Sequence, residues 1–179
     1  MIVILLLSAR LMKASKSFMV NYRGFSLFKL RTEHVFAFSP HPSSTKELKK
    51  VYGLRLKQAV LSRMKYDKCY AVIKDEEVYA ITGVGPDGMM WCVFSKLING
   101  NKVGMIRASK VLIEFYHKDH SSLVCDIWDQ NGDIAQWLAM LGFAPRFQYW
   151  HDDHCLIRFV RCQDESISGS TRLGRPVIS

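Results

Sequence analysis

The clearest pattern of apolar and polar positions lies in the last third of the chain, beginning at Ser122–Trp128. Successive side chains of a strand point to opposite faces, so Leu123, Cys125 and Ile127 share one face of a predicted β-strand. Apolar residues then recur every three or four positions, which predicts a helix with one buried face. The apolar helix positions are Ile134, Leu138 and Leu141.

A polar segment at 131–133 separates this strand from this helix. The side-chain oxygens of Asn131 and Asp133 are suited to accept hydrogen bonds from the free amides of a helix start. Gly142 follows the last apolar position, where helices commonly end on a left-handed residue. The predicted order is therefore strand, N-cap, helix and C-terminal glycine.

Further runs of alternating or continuous apolar residues predict the remaining strands. A strand is expected at 25–30, and polar turns separate the apolar runs of an antiparallel meander. The predicted meander strands are 69–73, 78–82 and 89–94. A final hairpin is expected at 146–150 and 155–161, with the polar turn 151–154 between its strands.

Two other stretches have helical spacing. Ser44 and Glu47 have the spacing of a capping box, and the helix is expected to run on through Tyr52 to Val60. Its outer face is basic, which fits either a nucleic-acid groove or a solvated face; the absence of interleaved aromatic residues favours the second. The second helix, after Gly104, is expected to pack on the sheet through Met105, Ala108, Leu112 and Phe115.

Composition supports one domain with a substantial core. The chain has 179 residues, 49% of them hydrophobic, and a net charge of +9 that permits non-specific contact with DNA but does not define a fold. The predicted organisation is an N-terminal extension at 1–20, a domain at 21–163 and a flexible tail at 164–179. The core is expected to contain Trp91, Ile127, Leu138 and Phe143.

Reactive groups do not form a recognisable catalytic or metal-binding pattern. Five cysteines without a CxxC pair indicate reduced thiols. The turn His151-Asp152-Asp153-His154 has two possible ligand types, but adjacent residues point in different directions, so no metal site is predicted. The first apolar run, 2–7, is too short to cross a bilayer, so no membrane insertion is expected.

The strand, the helix that begins after Asn131 and the Gly142-Phe143 pair together resemble the last strand–helix motif of the GCN5-related N-acetyltransferase (GNAT) fold. This resemblance implies an α+β fold with a mixed, mainly antiparallel sheet flanked by helices. It also implies that Asn131 lies near the acyl-coenzyme A. Many members have a tyrosine general acid seven residues after the asparagine, and here that residue is Leu138.

The loop before the second packed helix departs from the GNAT pattern. Members have a Gln/Arg-x-x-Gly-x-Gly/Ala signature there, whose amides hold the cofactor pyrophosphate. Aligning Gly104 with the last glycine places Asn99 at the first position and Lys102 at the middle glycine. If the chain binds acetyl-CoA, the residues implied are Asn99, Lys102, Gly104 and Asn131.

The stretch 77–161 also resembles the small internal virion (core) proteins of short-tailed phages, a family with a degenerate acetyltransferase-like fold. Matching features include Trp91-Cys-Val-Phe94, Asp126-Ile-Trp128 and the Gly142-Phe143 ending. The favoured prediction is thus a non-catalytic virion or morphogenesis protein without a cofactor, located in the virion or host cytoplasm. Its expected partners are other internal core proteins, with non-specific DNA contact. The alternative is an acyl-CoA-dependent N-acetyltransferase with a modified pyrophosphate loop.

Overall fold

Eight strands form two antiparallel sheets in the computed structural model, which describes residues 18–163. The larger sheet has the order β1-β2-β3-β4-β5 and the smaller one β6-β8-β7. The larger sheet comprises β1 (Phe18–Tyr22), β2 (Phe25–Lys29), β3 (Lys68–Lys74), β4 (Glu77–Val84) and β5 (Met90–Phe94). The smaller comprises β6 (Ser122–Trp128), β7 (Ala144–His151) and β8 (His154–Cys162).

Helices flank both sheets, which confirms the predicted α+β class. They are α1 (Thr32–Ala37), α2 (Pro42–Tyr52), α3 (Leu56–Arg63), α4 (Lys102–Tyr116) and α5 (Gly132–Met140), with a short 3-10 helix at Lys96–Gly100. Within residues 18–163, no helix has the length and apolar character needed to span a membrane. The predicted tail and residues 1–17 of the predicted extension lie outside the described residues.

The single helix expected from Ser44 to Val60 is wrong, because the structure divides it at Gly53. Gly53 has a left-handed φ of +62°, and its N–H donates to the carbonyl of Leu48, so α2 ends there. The expected capping box is also wrong. His41 is the N-cap of α2, and its Nδ1 accepts from the backbone N–H of Ser43 at 3.4 Å. Glu47 is therefore available for a different contact.

The meander occupies the third, fourth and fifth strands of the larger sheet, whereas the GNAT resemblance implies that these runs are its second, third and fourth strands. The cause is an N-terminal hairpin, in which β1 pairs with β2 before the first helix. Arg23 and Gly24 form its turn with φ values of +49° and +86°, as a tight hairpin turn requires. β1 spans residue 20, so the predicted boundary between extension and domain falls within a strand.

Three of the four predicted core residues are buried: Ile127, Leu138 and Phe143 are each 3% exposed. Trp91 is only half-buried, contrary to the prediction. Its ring lies over Gly83, where an added Cβ would come within 2.7 Å of the indole, and its Nε1 donates to Asp67 Oδ2 at 2.7 Å. An indole N–H commonly keeps a polar partner near the surface, which accounts for the difference.

The packed face of α4 is rotated from the predicted one. The buried positions are Met105, Ser109, Ile113 and Tyr116, while Ala108, Leu112 and Phe115 are half-buried beside them. The buried face of α4 thus includes Ser109 and Tyr116. Because their side chains carry hydroxyl groups, the spacing of apolar residues in the sequence did not place them on this face. The phenol of Tyr116 finds a partner inside the core, because it donates to Thr82 Oγ1 at 3.3 Å.

The strand and helix around residue 131 form as predicted. Leu123, Cys125 and Ile127 are buried on one face of β6, α5 follows, and Gly142 has a left-handed φ of +84°. This unit places the end of β6 and the start of α5 at the same edge of the molecule.

Candidate functional site

The two sheets meet at one point and then separate. A single parallel bridge joins Met89, just before β5, to Val124 of β6, and the N–H of Val124 donates to Gly88 O at 3.0 Å. Gly88 allows this approach, because an added Cβ would lie 2.5 Å from the carbonyl oxygen of Ser122. Beyond the bridge, β5 and β6 have different partners, which leaves a cleft between their carboxyl ends.

Alternation along the strands directs backbone polar groups into this cleft. Ser95 N donates to Tyr79 O at 2.8 Å, so Phe94 and Cys92 turn their N–H and C=O groups away from β4. Phe94 O accepts from His41 N at 2.7 Å, in agreement with this direction. The N–H of Phe94 and both backbone groups of Cys92 therefore face the opening beside β6.

A cavity of about 760 Å³ fills the cleft and extends to both sides of it. Its walls come from β5 and β6, from α2 and α3 on one side, and from α4 and α5 on the other. A cavity of this size is typical of small-molecule and cofactor sites. α5 begins at the cavity wall, where Asn131 is its N-cap, so the positive end of its dipole faces the cavity, whereas α4 contributes lining residues only from Ser109 onward.

Glu47 of α2 binds the opposite wall of the cleft. Its Oε1 accepts from the backbone N–H of Trp128 at 3.1 Å, and its Oε2 accepts from Asn131 Nδ2 at 2.5 Å. The expectation that the Asn131 side chain caps α5 is therefore wrong, and it makes no cap hydrogen bond. Both Glu47 and Asn131 line the cavity, so a carboxylate and an amide are held together at its mouth.

A second polar group in the cleft is centred on Asp126 of β6. Arg158 of β8 donates to it in a bidentate pair, with Nε–Oδ1 2.8 Å and Nη2–Oδ2 2.7 Å. The phenol of Tyr149 donates to the same Oδ2 at 2.7 Å. Burial and the hydrogen bond to Asp126 raise the pKa of Tyr149, and the bond to Asp126 raises the pKa of Arg158. Asp126 and Tyr149 are thereby fixed on the cavity wall.

Solved acetyltransferase structures share this architecture. An acetyltransferase of the GNAT family from Bacillus anthracis matches with a TM-score of 0.63 at 12% identity, over 82% of this chain and 98% of that one. RimL, a ribosomal L7/L12 alpha-N-protein acetyltransferase in complex with coenzyme A, gives 0.59 at 13% identity, over 83% and 99%. The aminoglycoside acetyltransferase AAC(6')-Ib in complex with coenzyme A gives 0.61 at 9% identity, over 79% and 96%.

The chain has the GNAT fold. The similarity to these acetyltransferases lies in the structure. The sequence itself matches no family model and no curated protein. The main part of the sequence-based GNAT expectation, the α+β architecture, is thus confirmed.

The four predicted cofactor residues differ in their relation to the cavity. Asn99 is exposed in the 3-10 helix, and Lys102 is the exposed first residue of α4. Gly104 packs against the ring of Phe25, where an added Cβ would be 3.0 Å from Cε2. Asn131 is the only one of these four that lines the cavity.

Leu138 is 3% exposed and lines the cavity, so the wall is aliphatic where many GNAT proteins have a tyrosine. Sequence reasoning missed the phenols that the cavity does contain, Tyr52 and Tyr149. Burial, followed by the charge of Glu47, raises the pKa of Tyr52 to about 12. Their positions depend on contacts between distant segments, which local spacing does not show.

Two thiols also line the cavity, Cys92 on β5 and Cys125 on β6. Burial raises the pKa of Cys92 to about 12, and burial raises the pKa of Cys125 far above its usual value. Both thiols are therefore protonated at neutral pH, which does not suit a covalent acyl-enzyme mechanism. Over residues 18–163, no group of His, Cys, Asp and Glu side chains is arranged to hold a metal ion.

Proposed function

We propose that this chain is an acyl-CoA-dependent N-acyltransferase. The observation that supports the proposal is the cleft between β5 and β6, which opens from the Met89–Val124 bridge into a cavity with the start of α5 on its wall. The GNAT fold supports it, as do the two structural neighbours that hold coenzyme A. The sequence favoured a non-catalytic role, and the structural likeness favours the alternative.

The groups around the cleft fit an acyl-CoA. Its pantetheine arm is rich in amides, and the outward N–H and C=O groups of Cys92 offer partners for them. The first amides of α4 and the exposed ammonium of Lys102 suit a pyrophosphate, since helix starts and cations both favour phosphate. When bound, the cofactor would supply an acyl group activated as a thioester.

Glu47 is the group we assign as general base for the acceptor amine. Its carboxylate lines the cavity, and its hydrogen bonds to Trp128 and Asn131 fix its orientation. The attacking amine would lose a proton to this carboxylate as its nitrogen formed the amide bond and the thioester C–S bond broke. The phenol of Tyr149 donates to Asp126 and its pKa is raised, so it is a poor acid, and the departing thiolate would take its proton from solvent.

Calorimetric titration with acetyl-CoA tests the binding half of this proposal. We expect saturable binding with a Kd in the micromolar range, and Asn131→Ala should weaken it because this amide lies on the cavity wall at the start of α5, where it would contact the cofactor. Gln130→Ala is the matched control, since Gln130 is an exposed neighbour that does not line this cavity. Absence of binding at millimolar acetyl-CoA would contradict the proposal.

As a second candidate, we propose a virion or morphogenesis role, in contact with internal core proteins and with DNA. Lys102 and Leu138 support it, because both replace residues that the GNAT resemblance associates with catalysis. The exposed basic residues of α2 and α3 would serve DNA contact: Lys46, Lys49, Lys50, Lys57 and Arg63. Mass spectrometry of purified phage particles should then find the protein in amounts similar to other internal proteins, and its absence would contradict a virion location.

A further inference from the structure

We propose that the closed end of the cavity accepts an aliphatic acyl chain several carbons longer than acetyl. This inference rests on the proposed acyl-CoA-dependent function and names its donor class. Three observations support it: the depth of the cavity, the aliphatic side chains at its closed end, and the buried indole N–H of Trp137, which has no acceptor among the described residues.

The cavity extends from its mouth towards the bridge where the sheets meet. Glu47 and Asn131 mark the mouth, whereas Leu112, Ile113 and Leu141 belong to the far ends of α4 and α5. That end of α4 lies near the bridge, because His120, just beyond it, is within 3.8 Å of a Cβ built on Gly88. The cavity therefore continues past its mouth between the far ends of α4 and α5.

On the α4–α5 side, the closed end has aliphatic walls. Leu112, Ile113 and Leu141 are joined there by Met90. Of the charged lining residues, Glu47 belongs to α2 and Asp126 to β6, while Arg63 of α3 lies on the α2–α3 side, where its guanidinium is paired with Asp67. A dicarboxylic acyl group would meet no cation at this end, so the walls select an uncharged hydrocarbon chain.

Trp137 provides an independent indication of a ligand. It lines the cavity and is 8% exposed, yet its indole N–H has no acceptor among residues 18–163. Buried indole N–H groups normally have a partner. Its ring packs 5.0 Å from that of Phe94 on β5, beside the cleft. A thioester or amide carbonyl of the bound acyl-CoA would supply the missing acceptor.

Calorimetric titrations of the full chain with coenzyme A, acetyl-CoA and octanoyl-CoA test the inference. Burying hydrocarbon strengthens binding by up to about fourfold per methylene, so we expect octanoyl-CoA to bind at least about tenfold more tightly than acetyl-CoA. Trp137→Phe keeps an aromatic ring but removes the donor, and should weaken octanoyl-CoA binding by about threefold to tenfold.

Leu112→Phe fills the closed end and should abolish the preference for octanoyl-CoA while acetyl-CoA still binds, which also shows that the variant is folded. Val111→Phe is the matched control, because Val111 is a half-buried neighbour on α4 that does not line the cavity. Equal affinities of wild-type protein for acetyl-CoA and octanoyl-CoA would overturn this inference and leave the proposed function intact. Failure of all three ligands to bind would overturn both.

Discussion

Glu47 and Asn131 lie on opposite sides of the cleft and are joined by a hydrogen bond of 2.5 Å. The same carboxylate accepts the N–H of Trp128, so one side chain of α2 connects the end of β6 with the start of α5. This contact replaces two local ones that the sequence suggested, a capping box at Ser44 and a cap at Asn131. It places a fixed carboxylate at the cavity mouth, which is the basis of the assigned base.

The bidentate pair between Asp126 and Arg158 should contribute to stability. Asp126→Asn removes the buried carboxylate that pairs with the half-buried Arg158, and we expect a loss of about 1–3 kcal/mol in the free energy of unfolding, measured with urea. Asp119→Asn is the control, because its salt bridge with Lys68 is exposed and should matter little. Equal effects of the two substitutions would mean that the Asp126 contacts are not those described.

The core under α5 should depend on Phe143. Phe143→Ala leaves a cavity at a 3% exposed position and should lower the free energy of unfolding by about 3–5 kcal/mol in chemical denaturation. Phe36→Ala removes the same ring from a site that is 60% exposed, so its effect should be about 1 kcal/mol or less. Similar losses in both variants would be incompatible with this packing.

Lys102 should attract the phosphates of acyl-CoA. Lys102→Ala is expected to weaken acetyl-CoA binding by about threefold to tenfold at low salt, and by less at high salt, where exposed charges are screened. Lys110→Ala is the control, since this lysine is also exposed but lies two turns further along α4. If Lys102→Ala strengthens binding, the lysine obstructs the phosphate, as its position at the usual glycine suggested.

Stability should fall at alkaline pH. Burial raises the pKa of Cys69 and Cys92 from 9.0 to about 12, so the unfolded chain loses these protons first as the pH rises. Their contribution is complete below pH 9 and is lost between pH 9 and about 12. Urea unfolding at pH 7, 8 and 10.5 measures this, with little change expected between the first two. In a Cys69→Ala/Cys92→Ala variant, the free energy of unfolding should fall less between pH 8 and about 10.5 than it does in the wild-type protein. An equal fall in both proteins would show that these thiols do not cause it.

Local patterns predicted the elements whose contacts repeat along the chain. The alternation in β6, the helical spacing in α5 and the turn-separated meander each give a periodic signal, and each is present in the structure. The break at Gly53 was missed because apolar positions continue across it. A glycine is nevertheless the same helix-stop signal that located the end of α5 at Gly142, and the left-handed φ of Gly53 agrees with it.

The site was less predictable because its residues come from distant segments. The pairings Glu47–Asn131 and Asp126–Arg158 depend on how α2 and β8 pack beside β6, and no spacing in the sequence encodes them. Trp91 illustrates the same limit: its apolar neighbours predicted burial, whereas the contact with Asp67 keeps it half-exposed. Asn131 was placed correctly at the helix start, but its hydrogen-bond partner was not anticipated.

Acyl transfer can be followed as the release of free coenzyme A from acyl-CoA, measured by chromatography with a panel of primary amines. We expect amine-dependent release by the wild-type protein and a kcat about 100-fold lower in Glu47→Gln, with acyl-CoA affinity within about threefold of wild type. Glu77→Gln, at an exposed position on β4, should match the wild-type rate. Release no faster than background hydrolysis for every amine and for both acetyl-CoA and octanoyl-CoA would contradict the acyltransferase assignment.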